Sequence, residues 1–199
     1  MATSMICSRQ ENENLSPFTS VQMNGYFKIS KKLDTLTQKI FEGLMKTRRY
    51  KRDLHVLAEL YGITNEDAFN TWGPDAQFYF GNDETSILDK TEPPVNQVST
   101  RMPFMYFINE NDEPLLVWDS DITDVNSVGD AAEWIIYLLR FVFQDEFLLS
   151  GRLAYTSDDL HYNGIIHIFQ KLNGEGIMET KMSLLESCPE CGNKVTQVK

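Results

Sequence analysis

The chain predicts an α+β protein, with a mainly antiparallel sheet, helices on one face and a C-terminal three-stranded meander. Three observations carry that reading. The elements are segregated along the chain as a strand, helices, strands, one long helix and three final strands, not alternated as a parallel sheet requires. Within the last group, one connection holds Asn173-Gly174, the pair that a tight antiparallel turn favours. With 42% hydrophobic residues in 199 positions, the chain is long and apolar enough to bury a real core.

Residues 1–22 are polar without period and are expected to form a flexible N-terminal arm, followed by a single domain over 23–184. "GYFKISKKL" (25–33) alternates as a strand does. Asp34 or Thr35 then caps a helix, with Leu36, Ile40 and Leu44 on one face. "KRDLHVLAELYG" reads as a second helix, with Leu54, Leu57 and Tyr61 on a stripe and a stop at Gly62. Thr64 and Asp67 suit a capping box for a third. "AQFYFG" (76–81) is aromatic and strand-like, and the long polar segment with Pro93-Pro94 reads as a loop. "PFMYFINENDEPLLVWDS" predicts a hairpin around Asn109–Glu113. The strongest helix signal covers 128–144, burying Ala131, Ile135, Leu138, Leu139 and Val142, with Trp134 and Phe141 widening that face. Strands follow over 147–157, 164–172 and 176–184, and residues 185–199 form a tail carrying Cys-Pro-Glu-Cys-Gly.

The net charge of −11 is unevenly spread. Nine of the 18 Lys and Arg residues lie between Lys28 and Arg52, with only Asp34 and Glu42 as acids there, so that segment is about +7 and the remainder about −18. Either the basic segment docks on the protein's own acidic remainder, or Lys46, Arg48, Arg49, Lys51 and Arg52 form a patch for nucleic acid or another anion. No apolar run is long enough for a membrane span, since "WIIYLLRFVF" is interrupted by Arg140. The N-terminus shows no signal-peptide pattern, and three cysteines do not make a disulfide framework, so a cytoplasmic protein is expected.

Cys188 and Cys191, in the turn "CPEC", could supply two thiolates to a structural zinc. The tail holds no further ligands. They would come from Cys7, His55, His161 or His167, or from the same pair in a second chain. "LHVLAELYGITNEDAFNTW" has the Ala58, Gly62 and Ile63 spacing of a helix-turn-helix, but Asn65, Glu66 and Asp67 head the would-be reading helix and would face phosphates. A plain helical hairpin is the better reading. "DSDITD" (119–124) fails as a calcium loop, because Asp124 stands where glycine is needed and Asp130 where glutamate is needed. Motifs for nucleophilic, phosphate-binding or metalloprotease chemistry are absent. His161 beside Asp158 and Asp159 is the one weak candidate for acid–base geometry in a small hydrolase or transferase.

From Gly73 the ordered series "GPDAQFYFG", "DETSILDKTEPP", "PLLVWD", "EWIIYLL", "FLLSGRLAYTSDDLHYNGIIHIF" and "GIMETKM" resembles a family of small uncharacterised bacterial and bacteriophage proteins. The resemblance covers about residues 73–182 and leaves the CPECG tail outside. In this chain "RMPFMYF" stands where the family often has Cys and Trp, and "TSDDLHYNG" stands for its acidic turn. The family brings no activity, so the resemblance implies a fold and a phage or bacterial origin. Together with the missing catalytic motifs, it makes the leading expectation a non-enzymatic accessory factor that docks on a host or phage protein as an inhibitor, or in host takeover or anti-defence. A nucleic-acid-associated regulator is the alternative.

Overall fold

The computed structural model describes residues 21–121, 128–144, 146–157, 163–172, 178–187 and 194–198. Its main element is a seven-stranded sheet in the order β4-β5-β1-β6-β7-β8-β9, in which all neighbours are antiparallel. The strands are β1 (Val21–Ile29), β4 (Phe104–Ile108), β5 (Pro114–Trp118), β6 (Leu149–Ser157), β7 (Asn163–Leu172), β8 (Met178–Ser187) and β9 (Lys194–Val198). The α+β class and the β6-β7-β8 meander agree with the sequence reading. β8 continues to Ser187, and β9 adds a further strand within 185–199. β1 begins at Val21 and sits inside the sheet, third of the seven strands, between β5 and β6.

Among the described residues four α-helices accompany the sheet: α1 (Thr35–Lys46), α2 (Leu54–Tyr61), α3 (Asn65–Trp72) and α4 (Val128–Tyr137). Asp34 caps α1, accepting from the amides of Leu36 and Thr37 at 2.9 Å. The buried face of α1 is Thr37, Phe41 and Leu44. Leu36 is exposed, correcting the Leu36–Ile40–Leu44 stripe. Phe41 decides this rotation, because its ring stacks on Phe143 at 6.1 Å and meets Tyr106 edge-on. α4 runs into a π-helical stretch, Leu138–Phe143, which keeps Leu138, Val142 and Phe143 buried.

One core joins these layers. Phe41 and Leu44 of α1 pack in a cluster with Trp134, Ile135 and Leu138, and with Phe27, Phe104, Leu116, Leu149, Leu153, Ile166 and Ile168 of the sheet. Each such side chain contributes about 1.5–3 kcal/mol on burial, which fixes the helices to this one face. The hairpin α2–α3 builds a separate small cluster around Leu57, Ala76 and Tyr79.

Two further expectations are corrected. Lys51 and Arg52 are not helical. They form β2 (Lys51–Arg52), which pairs with β3 (Ile87–Asp89) from the long loop, and α2 starts after its cap, Asp53. Residues 76–81 are not a strand, because the chain makes a 3-10 turn at Pro74–Ala76 and positive φ at Asp75 and Ala76 breaks any extended run. The carbonyls that a strand would offer to a neighbour are taken by the side chain of Arg49, described next. The 109–113 turn of the β4–β5 hairpin is as expected, closed by Asn109, whose amide donates to the Glu113 carbonyl at 3.1 Å.

Candidate functional site

Five of the candidate residues, Lys46, Arg48, Arg49, Lys51 and Arg52, lie in the basic segment. Arg49 is 2% exposed. Its guanidinium donates to the carbonyls of Ala76 (3.1 Å), Gln77 and Tyr79, and lies 4.6 Å from the centre of the Phe80 ring. Burial pushes it down to about 10, still cationic at neutral pH. Arg52, also buried, donates to the Asp83 carbonyl and to Ser86 Oγ at 2.8 Å, and sits 3.7 Å from the Asp83 carboxylate. Hydrogen bonds from Ser86 and Thr85 hold that carboxylate well below the usual aspartate range.

These two arginines are therefore turned into the fold and cannot serve the anion patch in which the sequence placed them. The flanking lysines stay at the surface in ion pairs. Lys46 pairs with Glu42 at 2.8 Å and Lys51 with Glu92 at 3.5 Å, while Arg48 is exposed. Upstream, Lys28 pairs with Glu113 at 2.6 Å, Lys32 with Asp112 at 2.5 Å, and Lys31 lies over the Phe147 ring at 4.7 Å. Of the two readings of the charge asymmetry, internal use is the one this geometry matches. Arg49 borders a set of buried polar side chains. In it Gln97 Nε2 donates to Tyr137 Oη at 2.9 Å, Tyr137 Oη donates to Gln77 Oε1 at 3.2 Å, and Trp134 Nε1 donates to Ser99 Oγ at 3.0 Å. Burial pushes the Tyr137 phenol up to about 12, so this set stays neutral and structural.

The other candidates divide. Cys7, Cys188, Cys191, Asp158, Asp159 and His161 lie outside the described residues. His55 is exposed on α2, 3.3 Å from Glu59, and His167 is exposed on β7. Among the described residues no three His, Cys, Asp or Glu side chains converge to hold a metal. No helix among the described residues is long and apolar enough to cross a membrane.

The sequence reading missed the face of the sheet that α1 and α4 leave bare. Strand register defines it. Met105 of β4 lies beside Val117 of β5, then Tyr26 of β1, Arg152 of β6 and His167 of β7. The next row is Phe107, Leu115, Lys28, Ser150 and Phe169. Phe107 is 55% exposed, Phe169 50%, Tyr26 46%, Ile165 38% and Met105 37%. A solvated sheet face ordinarily alternates to polar residues, whereas "FMYFI", "PLLVW" and "IIHIF" are apolar at both parities. That loss of alternation was the available signal. In sequence it reads equally well as a strand buried on both sides. No protein-family model, curated protein or solved structure matches the chain.

Proposed function

We propose that this protein is a non-enzymatic binding factor that docks a protein partner on the open face of its sheet. The observation that carries the reading is the exposed apolar set Tyr26, Met105, Phe107, Ile165 and Phe169, spread over three strands, β1, β4 and β7, on a face that no helix among the described residues covers. A contiguous apolar surface on a folded chain costs free energy in water and is typical of surfaces that become covered. The acidic remainder of the chain favours solubility while that face stays free. If the resemblance over residues 73–182 holds, the partner would be a protein of a bacterial host or its phage, with inhibition of a host protein as the expected consequence.

The test compares captures from a bacterial lysate by wild type, by Phe107→Ser with Phe169→Ser, and by Leu36→Ser on the helical side. A specific protein retained by wild type and Leu36→Ser, and lost with the double variant, supports the reading. Equal capture by all three chains would remove the sheet face from the function. Nucleic-acid binding through 46–52 draws less support, because Arg49 and Arg52 are buried and Lys46 and Lys51 are paired.

A further inference from the structure

The open face has a charge pattern as well as an apolar one. Across β4, β5, β1, β6 and β7 its ionisable side chains with described surroundings are Lys28, Arg152 and His167, all basic, in a chain of net charge −11. Glu113, at the end of the same face, is spent on Lys28 at 2.6 Å. Arg152 is exposed and has no carboxylate partner among the described residues. Register sets it between Tyr26 on one side and His167 on the other, with Met105 and Val117 continuing the row. Among the described residues the face therefore presents a guanidinium with no carboxylate beside it, set between Tyr26 and His167 with the exposed Ile165 and Phe169 on the adjoining strand.

Resting on the docking reading above, we infer that the occupant is a protein segment in which apolar side chains flank a carboxylate, the acid pairing with Arg152. A guanidinium in an apolar setting pairs more strongly with a carboxylate than one in open water, because the surrounding side chains exclude solvent once the segment is seated. Two other occupants fit less well. A second copy of this chain packed face to face would set Lys28, Arg152 and His167 of one copy against the same basic face of the other and join two chains of −11. Single-stranded nucleic acid would use Tyr26, Phe107 and Phe169 for stacking. It would, however, waste Met105 and Ile165 and meet an overall acidic molecule.

The experiment measures binding of the full chain to three labelled probes by fluorescence anisotropy: a peptide of Leu and Phe interspersed with Glu, the same peptide with Gln for every Glu, and an oligo-dT. The Glu peptide is expected to bind at least tenfold more tightly than the Gln peptide. Arg152→Glu should erase that preference and Arg152→Lys should keep part of it, while circular dichroism of both variants stays that of wild type. Equal binding of the Glu and Gln peptides, weakened in both cases by Phe107→Ser, would overturn the charge inference and leave the docking reading standing. Tighter binding of oligo-dT than of either peptide, lost in Phe107→Ser, would overturn both in favour of nucleic acid. Self-association in sedimentation at micromolar concentration, abolished by Phe107→Ser, would identify a second copy as occupant. Binding of no probe up to millimolar concentration would also overturn the inference.

Discussion

The guanidinium of Arg49 reaches the carbonyls of residues 76, 77 and 79, a stretch whose backbone departs from extended geometry. A side chain there replaces a missing strand neighbour, and its removal leaves the Gln77 and Tyr79 carbonyls without their donor, while Ala76 keeps the amide of Tyr79 at 2.9 Å. Arg49→Met is therefore expected to lower stability by about 3 kcal/mol, read from urea unfolding midpoints. Arg49→Lys should recover only part, because an ammonium cannot span three acceptors as a planar fork does. Asp83 gives a second prediction. Its carboxylate is held below its unfolded value by Ser86 and Thr85, so it contributes stability above the unfolded pKa, near ~4. That contribution is lost as pH falls through the lower, folded value. Wild type should exceed Asp83→Asn in urea midpoint at pH 7, and the gap should narrow steadily below about pH 4. A gap that widens on acidification would contradict the assignment.

Helix α1 and the 76–81 segment meet at Gly43. A methyl group there would run into the Phe80 ring, the same ring that lies under Arg49. Gly→Ala inside a helix usually stabilises by ~0.5–1 kcal/mol, so the two effects have opposite signs. Displacing Phe80 should win. Gly43→Ala is expected to lower stability by about 1–3 kcal/mol on thermal or urea unfolding. In the sheet, Gly151 of β6 has φ +141, and a Cβ there would lie 2.5 Å from the Tyr26 carbonyl oxygen of β1. Gly151→Ala should cost at least about 2 kcal/mol, through strain at that φ and separation of β1 from β6. The helix boundaries follow local chemistry more simply. Asp34, Asp53 and Thr64 each place an oxygen on the amides that open α1, α2 and α3.

The sheet is completed by its first strand. β1 pairs with β5, where Phe27 faces Leu116, and with β6, where Ile29 faces Leu149. These contacts span most of the chain, so the sheet cannot close around β1 until β6 is available. A chain lacking residues 1–30 would keep β4–β5 and β6–β9 as two unjoined sheets, and its proton NMR spectrum is expected to lose native dispersion. The open face behaves differently, because its side chains support little of the fold. Phe107→Ser with Phe169→Ser should change stability by less than about 1 kcal/mol per site, yet reduce binding of a hydrophobic dye to the native protein.

Local chemistry written in the sequence determined much of this protein. The caps at Asp34 and Thr64, the stop at Gly62, the 109–113 hairpin turn, the 128–144 helical stretch and the order β6-β7-β8 all follow from near-neighbour preferences. Tertiary structure decided what depends on distant partners. Residues 76–81 have strand-like side chains but give their carbonyls to Arg49 from about 30 positions away. Lys51 and Arg52 leave the helical pattern because Ile87–Asp89 offers them a pairing edge. The basic run resembled a surface patch until its arginines found acceptors inside the fold. The open sheet face was hidden for the converse reason: runs apolar at both parities do not reveal which side a helix will cover, and only the packing of α1 and α4 onto one side left Tyr26, Phe107 and Phe169 exposed to solvent.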